Sequence, residues 1–539
     1  MKTFRLKNIS TPVILALSYF LLGALVTIIF GQDVNWDLRN YHFYNPYMLL
    51  TDRIKYDILP AQIQTFFNPL LDIPFFVSIY YLKIPSIIVN SFLGGLHGLN
   101  LWFVHYILYF SLINLKDTYK HLISLLAALT SFWGAAYLSE LGTTMGDSTA
   151  SLFALGSLLI IIYSLSKHQD IPLKNLMIAG LVMGLGVGLK LTVALYGISL
   201  IVAINFIHNN WPRKIRNLGI IIGTMFSGFM LTAGYWMFLM WSNFSNPLFP
   251  FFNKIFQSPY IETDFNLKDA RFLPRNLLQA IFYPFYFLHN PNLVAELKFR
   301  DVRFSLAYIL IVFLLGFALY KKFYNPQKTS KNPLINENAF RLFLPFFTAA
   351  YLIWLIQFSI YRYLIVLELL TPVLIVLVIG YIYPLPKITK HLSIALFFTL
   401  IITVQPLDWW RIAWSSNYFG IEKNLLNRYE NSVIVMWGGE PMGYVVPYFP
   451  RHTRLVRITG NSGLSPNTLM RKNAEKIIKA TPEKSLYLLE INFEKKEPDK
   501  QLAKQKDLAA LGLTINPINC QPLSTHIEKY TICQLNKVN

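Results

Sequence analysis

The run TPVILALSYFLLGALVTIIF, Thr11–Phe30, leads without a break into Gly31-Gln-Asp-Val-Asn-Trp-Asp-Leu-Arg-Asn-Tyr-His-Phe-Tyr-Asn-Pro46. The first segment carries no charge and is about the length that crosses a bilayer as a helix. The second sets Asp33 and Asp37 within a turn or two of the membrane surface, among Trp36, Tyr41, His42, Phe43 and Tyr44. As a helix, the i,i+4 spacing puts both carboxylates on one face. Acids at a membrane boundary are costly unless solvated or paired, and by default they mark a functional site. The plainer reading is a solvated loop with interfacial aromatics as anchors.

The 539 residues are 54% apolar, 16% aromatic and 14% charged, whereas a soluble domain carries about 25% charged residues. The fold class is an α-helical polytopic membrane protein. A net charge of +20 would suit nucleic acid, but the basic residues fall in turns between apolar runs, which points to membrane orientation and no nucleic-acid partner. No small-residue cleavage pattern follows the first run, so it reads as a retained span.

Basic residues orient the spans. Lys2, Arg5 and Lys7 place the N-terminus in the cytoplasm. Later spans run at about 85–115, 121–139, 148–166, 173–189, 191–210, 217–241, 302–320 and 343–360, and two more end near Lys387 and Gln405. The assigned cytoplasmic turns hold Lys116 and Lys120, Lys167, Arg213 to Arg216, Lys321, Lys322, Lys328 and Lys331, and Lys387 and Lys390. About eleven spans result, and an odd number leaves the tail outside. We therefore expect a membrane domain over 1–406, with short juxtamembrane helices in 32–74 and an outer loop at 242–302. A soluble periplasmic α/β domain is expected over 407–539. In that tail Ser432–Trp437 and Ser485–Glu490 read as buried strands, and Asn473–Ala480 and Lys500–Leu511 as amphipathic helices. The chain's two cysteines, Cys520 and Cys533, both fall there. A disulfide is expected on that side of the membrane, with two buried thiols as the alternative.

Several unusual residues gather at the outer ends of the spans. Glu140 and Asp147 lie in the short turn Ser139–Ser148, where Gly142 and Gly146 allow tight turning. There the plainer reading is a solvated hairpin, with Asp147 capping the next helix. Lys190 ends Gly184-Leu-Gly-Val-Gly-Leu-Lys190, whose glycines let helices approach closely. An anion partner for Lys190 is favoured over simple snorkelling. Arg362 forms the kind of fork that grips phosphate, or else anchors at the interface. Glu368 is a structural partner inside the bundle. Together these groups suit a lipid with a phosphate head and a sugar: a carboxylate deprotonates an acceptor hydroxyl, and cations stabilise the departing phosphate. Asp33, Asp37, Glu140 and Asp147 also offer oxygen ligands to a hard cation. Their spacing matches no recognised cage, so a divalent cation stays open and no cofactor is assigned.

Asp37 in Asn35-Trp-Asp-Leu-Arg-Asn-Tyr-His42 resembles the first-outer-loop acid of the GT-C class of polytopic glycosyltransferases. Gly184–Thr192, Asn246–Asn253 and Tyr361–Pro372 also resemble segments of related bacterial membrane transferases. The resemblance spans roughly Thr11 to Gln405 as topology and short motifs. It implies transfer of a hexose or pentose from a polyprenyl-phosphate donor to an envelope lipid, glycan or protein at the periplasmic face of the bacterial inner membrane. Asp37 is then the base, with Asp33 the other candidate, and His42, Glu140, Asp147, Lys190 and Arg362 bind substrate. Two departures stand out. The usual adjacent acid pair is replaced by Asp33 and Asp37, and Asp408-Trp409-Trp410 reverses the order of the oligosaccharyltransferase acceptor motif. A flippase of lipid-linked saccharides, or an envelope polymerase or ligase, is the runner-up. A flippase would need polar breaks near the middle of several spans.

Overall fold

The computed structural model describes residues 10–168, 170–207, 210–324, 332–461, 464–492 and 498–538. Lys2, Arg5, Lys7, Lys328 and Lys331, used above for orientation, lie outside the described residues. Among those described, a helix stands at each of the eleven expected spans: Thr11–Phe30, Ser86–Ser111, Asp117–Phe132, Asp147–Lys167, Leu173–Leu189, Ala194–Ile204, Trp211–Phe244, Arg303–Tyr324, Glu337–Gln357, Ile365–Ile382 and Pro386–Thr403. Among the described residues, seven helices are long and apolar enough to cross a membrane, and two more are shorter apolar helices. The fold is therefore that of an α-helical polytopic membrane protein with a C-terminal sheet. Thr11–Phe30 is apolar all round and mostly exposed, while the equally apolar Tyr361–Ile382 is almost wholly buried. Both are stable as helices because lipid tails and a protein interior offer the same apolar surroundings.

The chain forms two compact units. The first comprises the chain up to Phe30, with Asn90–Ala233 and Lys268–Trp409. Here the glycines do what their spacing implies. Gly180, Gly184 and Gly188 share one helix face, and a Cβ at Gly184 would collide with the Met225 carbonyl oxygen. The helix Leu173–Leu189 thus meets Trp211–Phe244 at backbone distance, the close approach that small residues permit. A buried charge cluster fixes the start of the short helix Ala135–Glu140. Glu368 accepts from the backbone N–H of Ala136 (3.0 Å) and Tyr137 (2.7 Å), and Asp301 accepts from that of Ala135 (3.2 Å). Arg303 joins Asp301 at 2.7 Å and donates to the carbonyls of Glu368 and Trp133. Glu368 is a structural partner, as expected. Its carboxylate satisfies backbone donors at a helix start that no side chain of the helix itself caps.

The second unit comprises Gly31–Val89, Gly234–Leu267 and the chain from Trp410 onward. Short helices stand at Leu38–His42, Tyr44–Leu50, Gln62–Phe66, Ile73–Phe76 and Val77–Tyr81, the last beyond the expected range 32–74. Strand β1 (Gln32–Asp33) pairs antiparallel with β2 (Arg411–Ile412). Five further strands, β3 (Val433–Met436), β4 (Arg454–Arg457), β5 (Leu486–Ile491), β6 (Leu513–Ser524) and β7 (Lys529–Lys537), form one sheet in the order β4-β3-β5-β7-β6. The β4, β3 and β5 strands run parallel, and β7 and β6 are antiparallel additions. Every residue of β3 is buried, which explains its unbroken apolar run. The expected helices extend over Leu469–Ala480 and Pro498–Ala509. The β4 edge is covered by the stretch around Ile58, whose N–H donates to Leu455 O and whose carbonyl accepts from Arg457 N. Arg53 and Asp57 hold that stretch through two 2.7 Å contacts, and Asp57 also accepts from Leu455 N. Cys520 and Cys533 are joined as a disulfide across β6 and β7.

Candidate active site

In the second unit, Asp33 and Asp37 do not share a helix face. Asp33 ends β1, and its two carboxylate oxygens accept from the Asn35 side-chain amide at 2.8 and 2.9 Å and from the Asn35 backbone N–H at 3.0 Å. An Asp-x-Asn turn of this kind competes successfully with helix formation, so the helix begins only after it. Asn35 passes the effect on, its side-chain oxygen accepting from Leu38 N at 2.9 Å. Asp37 then stands at the N-terminal end of the π-helix Leu38–His42. Such one-turn π segments are frequent at functional sites.

The solvated-loop reading fails on burial. Asp33, Asn35, Asn40 and Asn45 are fully buried, and Asp37 keeps 7% exposure. His42 is oriented by a residue that spacing did not single out. Its Nδ1 lies 2.7 Å from Asp72 Oδ2, while its Nε2 is buried with no hydrogen-bond partner. Asn45 donates to the carbonyls of Gln64 and Phe67, leaving its own side-chain oxygen unsatisfied. Buried polar groups are normally paired, and each exception needs a reason. Here the unsatisfied imidazole and amide sit within one polar segment next to Asp37. Arg39 is committed elsewhere, to Glu528 at 2.6 Å and over the Trp410 ring at 4.9 Å.

In the first unit the structure brings Glu140, Asp147 and Lys190 together. Lys190 Nζ lies 2.9 Å from Asp147 Oδ1, so its anion partner is a carboxylate of the chain. Asp147 does not cap its helix. Gly146, in the left-handed region at φ +83°, precedes the helix, and Asp147 turns to Lys190 instead. The Ser139–Ser148 turn is buried and not a solvated hairpin. Glu140 Oε2 accepts from Ser148 N and Oγ, while Glu140 Oε1 and Asp147 Oδ2 have no hydrogen-bond partner. Burial raises the Glu140 pKa well above the ordinary carboxylate range, and Asp147 adds to the rise; Lys190 and Arg362 oppose it. A Glu140 that keeps its proton has an O–H donor to offer a ligand. Arg362 also lies over the Tyr363 ring at 5.3 Å.

Among the described residues no three His, Cys, Asp or Glu side chains come together to hold a metal ion. Both Asp33 carboxylate oxygens accept from the Asn35 side-chain amide.

Fold and burial together define a polytopic membrane protein with buried polar groups in the segment that follows its first apolar helix in sequence and in the 140–147 turn. No protein-family model matches the sequence, and no curated protein matches it. Among solved structures, the chain is similar to the crystal structure of ArnT from Cupriavidus metallidurans bound to undecaprenyl phosphate. The match covers 97% of each chain at 12% identity, with a TM-score of 0.41.

Proposed function

We propose that the chain is a bacterial inner-membrane glycosyltransferase that moves a sugar from a polyprenyl-phosphate donor to an envelope acceptor at the periplasmic face. Its N-terminus is cytoplasmic and residues 407–539 are periplasmic. Asp37 takes the proton of the acceptor hydroxyl. The hydroxyl oxygen bonds to the anomeric carbon, and the bond from that carbon to the donor phosphate breaks with its electron pair passing to the phosphate. Lys190 and Arg362 stabilise the charge that gathers on the departing phosphate, protonated Glu140 donates to it, and His42 orients the acceptor.

The observation that carries this reading is the burial of Gln32, Asp33, Asn35, Asp37, Arg39, Asn40, His42 and Asn45 directly after the first apolar helix. A solvated anchor loop has no reason to bury Asp37, His42 and three asparagines together. The flippase alternative needs mid-span polar groups left over for a substrate. Glu368 and Arg303, two buried charges within membrane-length helices, are instead spent on the start of Ala135–Glu140, and a third, Asp147, is paired with Lys190. An envelope polymerase or ligase uses the same chemistry and differs only in acceptor.

The assignment of roles is tested by splitting binding from turnover. Lys190→Gln and Arg362→Gln are expected to weaken donor-lipid binding about tenfold or more, the scale of a lost charge-assisted contact. Asp37→Asn is expected to leave donor binding within twofold of wild type, as a group acting mainly in the transition state does. Unchanged donor affinity in both cation variants would refute the phosphate site.

A further inference from the structure

Lys83 and Lys423 meet on one aromatic ring of the second unit. Lys83 Nζ lies 5.0 Å from the Tyr80 ring centroid and Lys423 Nζ lies 4.4 Å from the same centroid. Lys423 also donates to the Tyr80 hydroxyl at 3.0 Å. That hydroxyl in turn donates to the Pro447 carbonyl at 2.7 Å. Its proton is therefore engaged, and burial pushes the phenol up to about 12. Tyr80 offers a ring face and a lone pair at neutral pH, but no counter-charge.

Neither lysine makes an ion pair among the described residues. Glu422, the chain neighbour of Lys423, is exposed and joins neither. Burial, and then Lys423, lowers the Lys83 pKa; burial lowers that of Lys423. Two ammonium groups so placed repel each other, and an anion that both can reach removes the penalty. Both lysines line a cleft of about 270 Å³, together with Ser86, Asn417 and Tyr418. Such a volume holds an oxyanion group and several waters at ~30 Å³ each.

Position narrows the ligand. Lys83 stands just before Ser86, where a membrane-length helix begins. Tyr81 and Leu82 beside it, and Leu425 near Lys423, are exposed apolar side chains. Lysines flanked by exposed aromatic and aliphatic groups at the end of a span sit at lipid headgroup depth.

We infer that Lys83 and Lys423 form a phosphate-binding site floored by Tyr80, and that its ligand is the headgroup of an anionic membrane lipid. None of the residues proposed for the sugar donor lines this cleft, so the inference stands or falls separately from the proposed transferase reaction.

The test uses the full-length protein in nanodiscs and an amine-acylating reagent, with labelling at Lys83 and Lys423 read by peptide mass spectrometry. Exposed Lys506 serves as the reference. Three conditions are compared: phosphatidylcholine alone, phosphatidylcholine with phosphatidylglycerol, and phosphatidylcholine with millimolar inorganic phosphate. Phosphatidylglycerol is expected to slow labelling at both lysines about fivefold relative to Lys506, equivalent to the ~1 kcal/mol each basic residue gains near anionic lipid. Protection by inorganic phosphate but not by phosphatidylglycerol would keep the phosphate site and overturn its lipid source. Equal rates in all three conditions would overturn the site. Independently, native mass spectrometry should show retained phosphatidylglycerol lost in Lys83→Gln/Lys423→Gln and restored in Lys83→Arg/Lys423→Arg. Retention in the double Gln variant would also overturn the site.

Discussion

Glu140 carries the clearest pH signature. An unfolded glutamate titrates near ~4.3, and the folded group holds its proton well above that because it is buried beside Asp147. The stability it contributes is fully present below the unfolded value and is lost as pH rises through the raised folded one. The Glu140→Gln variant should therefore lose less stability between pH 5 and pH 9 than wild type, measured by thermal unfolding at several pH values. It should also keep donor affinity at the alkaline end, where wild type weakens as Glu140 ionises next to the phosphate. Parallel pH profiles for the two proteins would refute a protonated Glu140. At this scale the sequence was partly legible. Lys190 and Asp147 drew notice as charges at the outer ends of spans, and they prove to be each other's partners. Asp72 did not, because it lies far along the chain from His42 and only folding brings them to 2.7 Å.

The spans were legible as elements because twenty or so apolar residues have few other stable arrangements. The π-helix Leu38–His42 was not, since an i→i+5 turn has no residue pattern of its own. The placement of Asp33 was misread for a related reason. The i,i+4 spacing presupposes a helix, and the Asn35 amide captures both Asp33 oxygens before one can start. The cluster around Ala135–Glu140 gives a prediction at the same scale. Asp301→Ala leaves the fully buried Arg303 without its carboxylate. Breaking a buried pair in this way costs about 3–5 kcal/mol, so the melting temperature in detergent should fall by several degrees or more. Asp301→Asn, which keeps an acceptor for the Ala135 N–H, should recover part of the loss. A melting temperature unchanged in both would remove the structural role assigned to the cluster.

For the whole molecule, the expectation was a membrane domain over 1–406 followed by a periplasmic domain. The compact units divide the chain elsewhere, grouping 31–89 and 234–267 with the C-terminal segment. That grouping was not legible because it rests on contacts distant in sequence, such as Arg53 with the carbonyls of Arg451 and Thr453. The proposed topology predicts that alkaline phosphatase fused after Lys537 is active in cells and that a fusion after Lys322 is inactive. The reverse pattern would invert every loop. The measurement that bears most directly on the central claim is sugar release and transfer from a panel of polyprenyl-phosphate-sugars by the purified protein, with Asp37→Asn run beside wild type and donor binding read separately. The account predicts turnover of at least one donor by wild type, and loss of that turnover in Asp37→Asn with binding retained. Donor binding without turnover in wild type, or full turnover in Asp37→Asn, would contradict it.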